Sequence, residues 1–152
     1  ELFRGLVRED LKARGITLTT QILPAAERVR ANARALQHVL LNLTTNAADA
    51  LKDRPQPRID IMFSRESDRV RIRISDNGAG MNANQLANLF KPFHTTKQHG
   101  TGLGLVIVKK MLTTMDGTID IASHEGSGTT VTIYLPGGTH ARTTQENAFD
   151  HR

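Results

Sequence analysis

Val39-Leu40-Leu41-Asn42-Leu43-Thr44-Thr45-Asn46-Ala47-Ala48-Asp49-Ala50 is the stretch whose reading decides the fold. Leu36, Val39, Leu40, Leu43, Ala47 and Ala50 recur at spacings of three and four, which predicts a helix with one apolar face over roughly Ala33 to Lys52. Arg54-Pro55-Gln56-Pro57 breaks it. Asn42 and Asn46 lie one turn apart, so both side chains emerge on the same face. Asparagine is a mediocre helix former because its amide competes for backbone hydrogen bonds. Two of them inside an apolar helix need a reason. One is a pair of satisfied structural amides. The other is oxygen donation to Mg²⁺, which takes hard oxygen ligands and shares its shell with phosphates and water. Ala50, one turn further on, is small enough to let a flat adenine approach the same face.

Downstream lie two glycine clusters, Asp76-Asn77-Gly78-Ala79-Gly80 and Gly100-Thr101-Gly102-Leu103-Gly104-Leu105. Asp76 closes a strand that is apolar on alternate residues, where a carboxylate can accept the adenine 6-amino hydrogen. The glycines permit positive φ and close backbone approach to a ligand. By itself Asp-x-Gly-x-Gly is as often an ordinary turn. The second cluster leads straight into a helix, offering free amides and a helix N-terminus to phosphate. It lacks the Lys-Ser/Thr of a P-loop, and a loop rather than a strand precedes it, so neither the P-loop nor the dinucleotide fingerprint applies. Taken alone it reads equally as a hinge. Phe90-Lys91-Pro92-Phe93 before His94-Thr95-Thr96-Lys97 reads as an anchor and a moving lid, with the phenylalanines packed on the domain and Lys97 swinging toward phosphates. Gly126-Ser127-Gly128-Thr129-Thr130 reads as a hairpin connection, with Thr130 placing a hydroxyl beneath a base.

Around these motifs the pattern alternates between helix and strand. A helix to Gly15, a strand Ile16–Ile22 and the long asparagine helix come first. Strands Arg58–Ser64 and Arg69–Asp76, a short helix Asn84–Leu89 and a helix Leu103–Met115 follow. Strands Thr118–Ser123 and Thr129–Leu135 complete the series. The 152 residues make one domain, expected over residues 1–136, followed by a polar, disordered tail over 137–152. With aromatics at 4% and no Trp, the core has to be Leu, Ile, Val and Ala. The absence of cysteine excludes disulfides and Cys-based zinc or redox chemistry. His94 and His99 fall in the lid, no His-x-x-x-His pair occurs, and His38 reads as structural, which argues against a metal centre built on histidine. The formal charge of +5 is scattered: Arg69, Arg71 and Arg73 alternate with Val70, Ile72 and Ile74 as the solvent face of a strand. No base-stacking aromatics accompany that charge, which argues against nucleic acid. No apolar run is long enough for a membrane span. Without an initiator Met the chain reads as a piece of a longer protein, and the absence of cysteine fits a cytoplasmic domain whose parent is free to be membrane-anchored.

The motifs in order resemble the catalytic ATP-binding domain of sensor histidine kinases, within the wider group that includes gyrase, heat-shock chaperone and mismatch-repair ATPases. Val39 to Ala50 is similar to the asparagine box, and Asp76 to Gly80 to the first glycine box. Phe90 to Phe93 is similar to the phenylalanine box, Gly100 to Leu105 to the second glycine box, and Gly126 to Thr130 to the final glycine pair. The flavour around Pro92 to Lys97 resembles the nitrogen-regulation and oxygen-sensing kinases. The resemblance implies a Bergerat-type fold, a two-layer α/β sandwich with a mixed sheet packed on helices, and ATP and Mg²⁺ as cofactors. It implies Asn42, Asn46 and Lys97 as catalytic residues, with Mg²⁺ on Asn46 helped by Asn42. It implies a nucleotide-binding set of Asn46, Ala50, Asp76, Gly78, Gly80, Met81, Thr96, Lys97, Gly100, Thr101, Gly102, Leu103, Gly104, Leu105 and Thr130. Partners would be a dimerisation domain of the same parent, carrying the acceptor histidine and absent from this stretch, and a response-regulator receiver domain; the piece itself would be monomeric and would not phosphorylate itself. The ATPase relatives carry Glu where this chain has Asn42, and an amide cannot take a proton from water. That tilts the expectation from hydrolysis to phosphoryl transfer onto a histidine. The alternatives are an ATPase or serine-directed kinase of the same fold, or a non-catalytic nucleotide-sensing docking module. Asp49 stands where some histidine kinases carry a cation near the phosphates, and its role is open.

Overall fold

The computed structural model describes residues 2–95 and 100–138. The elements, in chain order, are α1 (Leu2–Ala13), β1 (Thr17–Ile22), a 3-10 turn (Pro24–Ala26), α2 (Ala33–Ala50), β2 (Arg58–Glu66), β3 (Arg69–Asp76), α3 (Ala83–Ala87), α4 (Gly104–Thr114), β4 (Thr118–His124) and β5 (Gly128–Pro136). The five strands form one sheet in the order β1-β2-β3-β5-β4. β1 runs parallel to β2 and every other pairing is antiparallel, so the sheet is mixed.

Period-two alternation decides which face is covered. Val70, Ile72 and Ile74 of β3 stand opposite Leu135, Ile133 and Val131 of β5. Ile72 and Ile74 stand opposite Phe63 and Ile61 of β2. Val39, Leu43 and Ala47 of α2 and Val108 and Leu112 of α4 close over this row, with Val7 and Leu11 of α1 alongside. Burying each such side chain stabilises by about 1.5–3 kcal/mol before entropy is counted. The opposite face is polar: Arg73 is exposed, and Arg71 donates from Nε to the Ser64 hydroxyl at 3.1 Å. Among the described residues the result is two layers, with the helices packed on one side of the sheet.

The ends of α2 are fixed by particular side chains and loops. Asn32 caps the start, its Oδ1 accepting from the Ala35 amide at 3.0 Å. At the other end the Ala50 carbonyl accepts from the Ala79 amide at 3.0 Å, which satisfies a group a helix end otherwise leaves unpaired. The helix therefore stops at Ala50 rather than Lys52, held by the glycine loop that follows β3. Thr44, fully buried among the apolar residues, returns its hydroxyl to the Leu40 carbonyl at 2.7 Å. Beyond β5, Gly137 and Gly138 donate to the carbonyls of Asp68 and Arg28, so ordered pairing runs two residues past the expected boundary. Residues 139–152 of the expected tail lie outside the described residues.

Candidate functional site

A cleft of about 1470 Å³ opens between α2, the loop after β3, the loop before α4 and the β4–β5 end of the sheet. α2 supplies its long wall. Asn42 and Asn46 lie along it, and the Asn46 Nδ2 donates to the Asn42 Oδ1 at 3.2 Å. Their shared face is therefore the cleft face, with Ala50 one turn beyond.

At the Ala50 end stands Asp76, the last residue of β3. It keeps the alternation of Val70, Ile72 and Ile74, so its carboxylate points to the helix side of the sheet, into the cleft. Burial pushes this carboxyl above its ordinary 3.8, while hydrogen bonds from the Gly78 and Thr129 amides pull it partway back. The Gly78 amide reaches Asp76 Oδ1 at 2.8 Å. Ile74, Ile121 and Val131 make an apolar floor beside it. A flat heterocycle bearing an exocyclic amino group fits this end, its plane on the floor and its N–H on the carboxylate.

Glycines set the tightness of these walls. At Gly80, with φ +67°, a Cβ would strike the His124 carbonyl, so the loop can fold under β4 only without a side chain. A Cβ on Gly78 would sit 2.5 Å from the Ala50 carbonyl oxygen. Gly78 does not itself line the cleft; it lets the loop press against the end of α2 from behind. Arg54 clamps the same region, donating to the carbonyls of Asn77 at 3.3 Å and Gly126 at 2.9 Å. Asn77 in turn binds the Arg58 amide and the Gln56 carbonyl through its side chain.

At the Asn42 end, Gly100, Thr101 and Gly102 lead into α4, whose first residue Gly104 faces Asn42. A Cβ there would lie 3.1 Å from Asn42 Nδ2, so the close approach of α4 to the asparagine pair needs glycine. Among the described residues no side chain caps the start of α4, and the first-turn amides of an uncapped helix suit phosphate. Leu105 lines the cleft, whereas Leu103, at the N-cap position, does not.

The structure places the other expected residues as follows. Met81 lines the cleft, its amide held by the Ser123 hydroxyl at 2.9 Å. Thr130 is corrected: it lies on the far face of the sheet, paired with Ser75 at 3.0 Å, and Thr129 lines the cleft instead. Moving one residue along a strand exchanges faces, and counting back from the buried Ile133 and Leu135 finds Thr129. Phe93, expected to pack on the domain, is 78% exposed at φ 61°, while Phe90 receives Lys109 Nζ 4.9 Å from its ring centroid. Thr96 and Lys97 lie outside the described residues. Asp49, left open by the sequence, forms an ion pair with Arg14 at 3.1 Å on the cleft rim. Arg14 and Arg54 had no motif to announce them, whereas Asn77 lies inside the first glycine cluster, where its structural role as a link to Gln56 and Arg58 carries no pattern of its own.

The donor set fits magnesium nucleotide. Two neutral amide oxygens suit an ion that keeps much of its shell in water and phosphate. The uncapped helix and glycine loop suit the phosphates, and the carboxylate over an apolar floor suits adenine.

Comparison with known proteins agrees with this architecture. Residues 31–139 match the family described as histidine kinase-, DNA gyrase B- and HSP90-like ATPase. The chain is 39% identical over 131 residues to the sensor histidine kinase ZraS of Klebsiella oxytoca, covering 86% of this chain and 28% of that protein. It is 36% identical over 143 residues to the sensory histidine kinase/phosphatase NtrB of Rhizobium leguminosarum, covering 85% of this chain and 37% of that protein. Among solved structures, the catalytic domain of histidine kinase ThkA superposes with a TM-score of 0.78 at 27% identity, over 89% of this chain and 88% of that one. The chain thus spans less than half the length of the curated relatives described here. Fold, motif order and matched length together show that the chain belongs to the histidine kinase branch of the family of histidine kinase-, gyrase B- and HSP90-like ATPases.

Proposed function

We propose that this chain binds Mg²⁺-ATP and passes the γ-phosphoryl group to a histidine on a separate dimerisation domain, as the catalytic domain of a two-component sensor kinase. The observation that carries the reading is Asn42, set against Gly104 at the start of α4, where the ATPase relatives carry a glutamate. An amide can hold a metal ligand or a water in place but cannot remove the proton of water at neutral pH. In this reading the attacking group is a histidine imidazole supplied by the dimerisation domain of the same parent.

In this reading Asp76 accepts from the adenine amino group, and the floor of Ile74, Ile121 and Val131 takes the ring. Asn46, with Asn42 beside it, contributes amide oxygen to Mg²⁺, which supplies charge neutralisation on the phosphates when bound. The Gly100–Gly104 amides hold the phosphate chain, and Lys97 adds a cation. The chain's contribution is orientation and electrostatics, as in other phosphoryl transfers. The incoming imidazole forms the new N–P bond as the bond to the ADP oxygen breaks, and ADP leaves.

Residues 1–136 form the binding unit, and the chain acts in the cytoplasm as a monomer while its parent dimerises through other segments. A response-regulator receiver domain takes the phosphoryl group onward. Among the described residues no helix is long and apolar enough to cross a membrane.

The test is transfer of label from γ-labelled ATP to a separately made acceptor-helix domain of the parent. Label on the acceptor histidine supports the kinase reading. Phosphate released to water at the same rate with or without the acceptor would point to an ATPase. Nucleotide binding with neither product would point to a docking module.

A further inference from the structure

Asp49 lies on the stripe of α2 that forms the cleft wall, between Asn46 and Ala50. The helix rises about 1.5 Å per residue, so Asn42 and Ala50 stand about 12 Å apart along its axis. The two ends of the cleft differ in chemistry. At the Asn42 level are Gly104 and the uncapped start of α4; at the Ala50 level are the Gly78–Gly80 loop and Asp76. A nucleotide lying along α2 with its phosphates at the first level and its base at the second has its sugar between them, at the level of Asn46 and Asp49. A carboxylate is a poor neighbour for phosphates but a good acceptor for two adjacent hydroxyls, each of which brings one O–H donor.

Arg14 gives this carboxylate a defined direction. It comes from the corner between α1 and β1, holds Asp49 Oδ1 at 3.1 Å, and is itself tied to Asp10 at 3.2 Å. Arg14 also lines the cleft. An arginine braced between two carboxylates restricts the rotamers of both, so Asp49 is held on the rim rather than swept through solvent.

We infer that Asp49 is the ribose-binding residue of this site, accepting hydrogen bonds from the 2′- and 3′-hydroxyls, and that Arg14 is the residue that positions it. The inference rests on the nucleotide reading above and adds a selectivity to it: ribonucleotide over deoxyribonucleotide.

The experiment is calorimetric titration of the whole chain with ATP, 2′-deoxy-ATP, 3′-deoxy-ATP, adenosine and 2′-deoxyadenosine. It is repeated for Asp49→Ala, Asp49→Asn, Arg14→Met and Arg14→Lys, with a thermal melt of each variant. The wild type is expected to prefer ATP to either deoxy form by about tenfold, the scale of one hydrogen bond to a charged group. Adenosine should show the same preference over 2′-deoxyadenosine, because phosphate takes no part in it. Asp49→Ala should bind ATP and 2′-deoxy-ATP alike. Arg14→Met should narrow the preference and Arg14→Lys should restore it. A merely structural role for Arg14 would weaken all five ligands by one common factor and overturn its part. The pair is exposed and contributes little to stability, so the variants should melt with the wild type. Equal affinity of the wild type for ATP and the deoxy forms overturns the inference and leaves nucleotide binding intact. So does Asp49→Ala binding ATP more tightly with adenosine unchanged, the signature of a carboxylate that repels phosphate. No binding of any ligand overturns the nucleotide reading itself.

Discussion

Asp76 carries a structural cost and, in the proposed function, a binding role, and the two have opposite pH signs. Its carboxyl is raised above 3.8, chiefly by burial, so the folded chain holds this proton more tightly than the unfolded chain does. Its contribution to stability is therefore greatest below 3.8 and declines as pH rises from there through the folded value. Asp76→Asn removes the buried charge yet keeps an acceptor for the Gly78 amide. At neutral pH the variant should melt at or above the wild type, and the gap should close as pH is lowered toward 3.8. A gap that widens on acidification would contradict the burial-dominated shift. Binding moves the other way. The Asn variant should lose ATP by at least about a hundredfold at neutral pH, since a charged acceptor is replaced by a neutral one in a partly desolvated site. Unchanged affinity in calorimetry would remove Asp76 from the adenine site. Gly104 offers a second separation of fold from function. Gly104→Ala adds a Cβ 3.1 Å from Asn42 Nδ2, while alanine favours the helix. The melt should hold or rise, and the magnesium-dependent part of ATP affinity should fall several-fold.

Among the elements, the connection from α2 to the glycine loop is the part that carries geometry into the site. Arg54 gathers the Asn77 and Gly126 carbonyls, and Ala79 joins Ala50. Arg54→Ala breaks two hydrogen bonds and should cost about 1–2 kcal/mol, tempered by the partial exposure of the contacts. Urea unfolding should register that loss, and ATP should bind more weakly than the stability loss alone explains, because the Asp76 loop is released. If affinity is untouched, the clamp supports the fold without setting the site. The repeating parts of these elements were legible in the sequence. Leu36 to Ala50 shows a helix by spacing, and Val70, Ile72 and Ile74 show a strand face. What was not legible depends on distant backbone. The end of α2 is set by an amide from Ala79, and Arg54 acts on carbonyls 23 and 72 residues away, which no side-chain pattern encodes. Thr129 and Thr130 are indistinguishable in the motif as a string, and only the two-faced alternation of the strand puts Thr129 in the cleft and Thr130 beside Ser75. Phe93 misled in the opposite sense, since hydrophobicity predicts burial only when backbone geometry turns the ring inward.

At the scale of the whole molecule, the hairpins β2–β3 and β4–β5 follow from local sequence, but the pairing of β3 with β5 and the parallel β1 do not. Those long-range pairings bring Asp76 of β3 beside Thr129 of β5 and make the cleft possible. The cleft is therefore bounded by α2 and α4 from the helix layer and by β3, β4 and β5 from the sheet, with loops from both ends. A ligand that touches all of these binds only the folded chain, and its binding energy adds to the stability of the entire fold. At a nucleotide concentration about a hundred times Kd the gain is about 2.7 kcal/mol. For a chain of this size that corresponds to a rise in Tm of about 5–10 °C. A non-hydrolysable ATP analogue with Mg²⁺ should produce that shift in a thermal melt, with a smaller one when Mg²⁺ is withheld. The guanine counterpart should produce none, because it presents a carbonyl oxygen to the Asp76 carboxylate where adenine presents an N–H. Equal shifts from the two nucleotides would mean that the phosphates alone are recognised and that Asp76 selects nothing. A shift with ATP that survives in Asp76→Asn would lead to the same conclusion from the protein side.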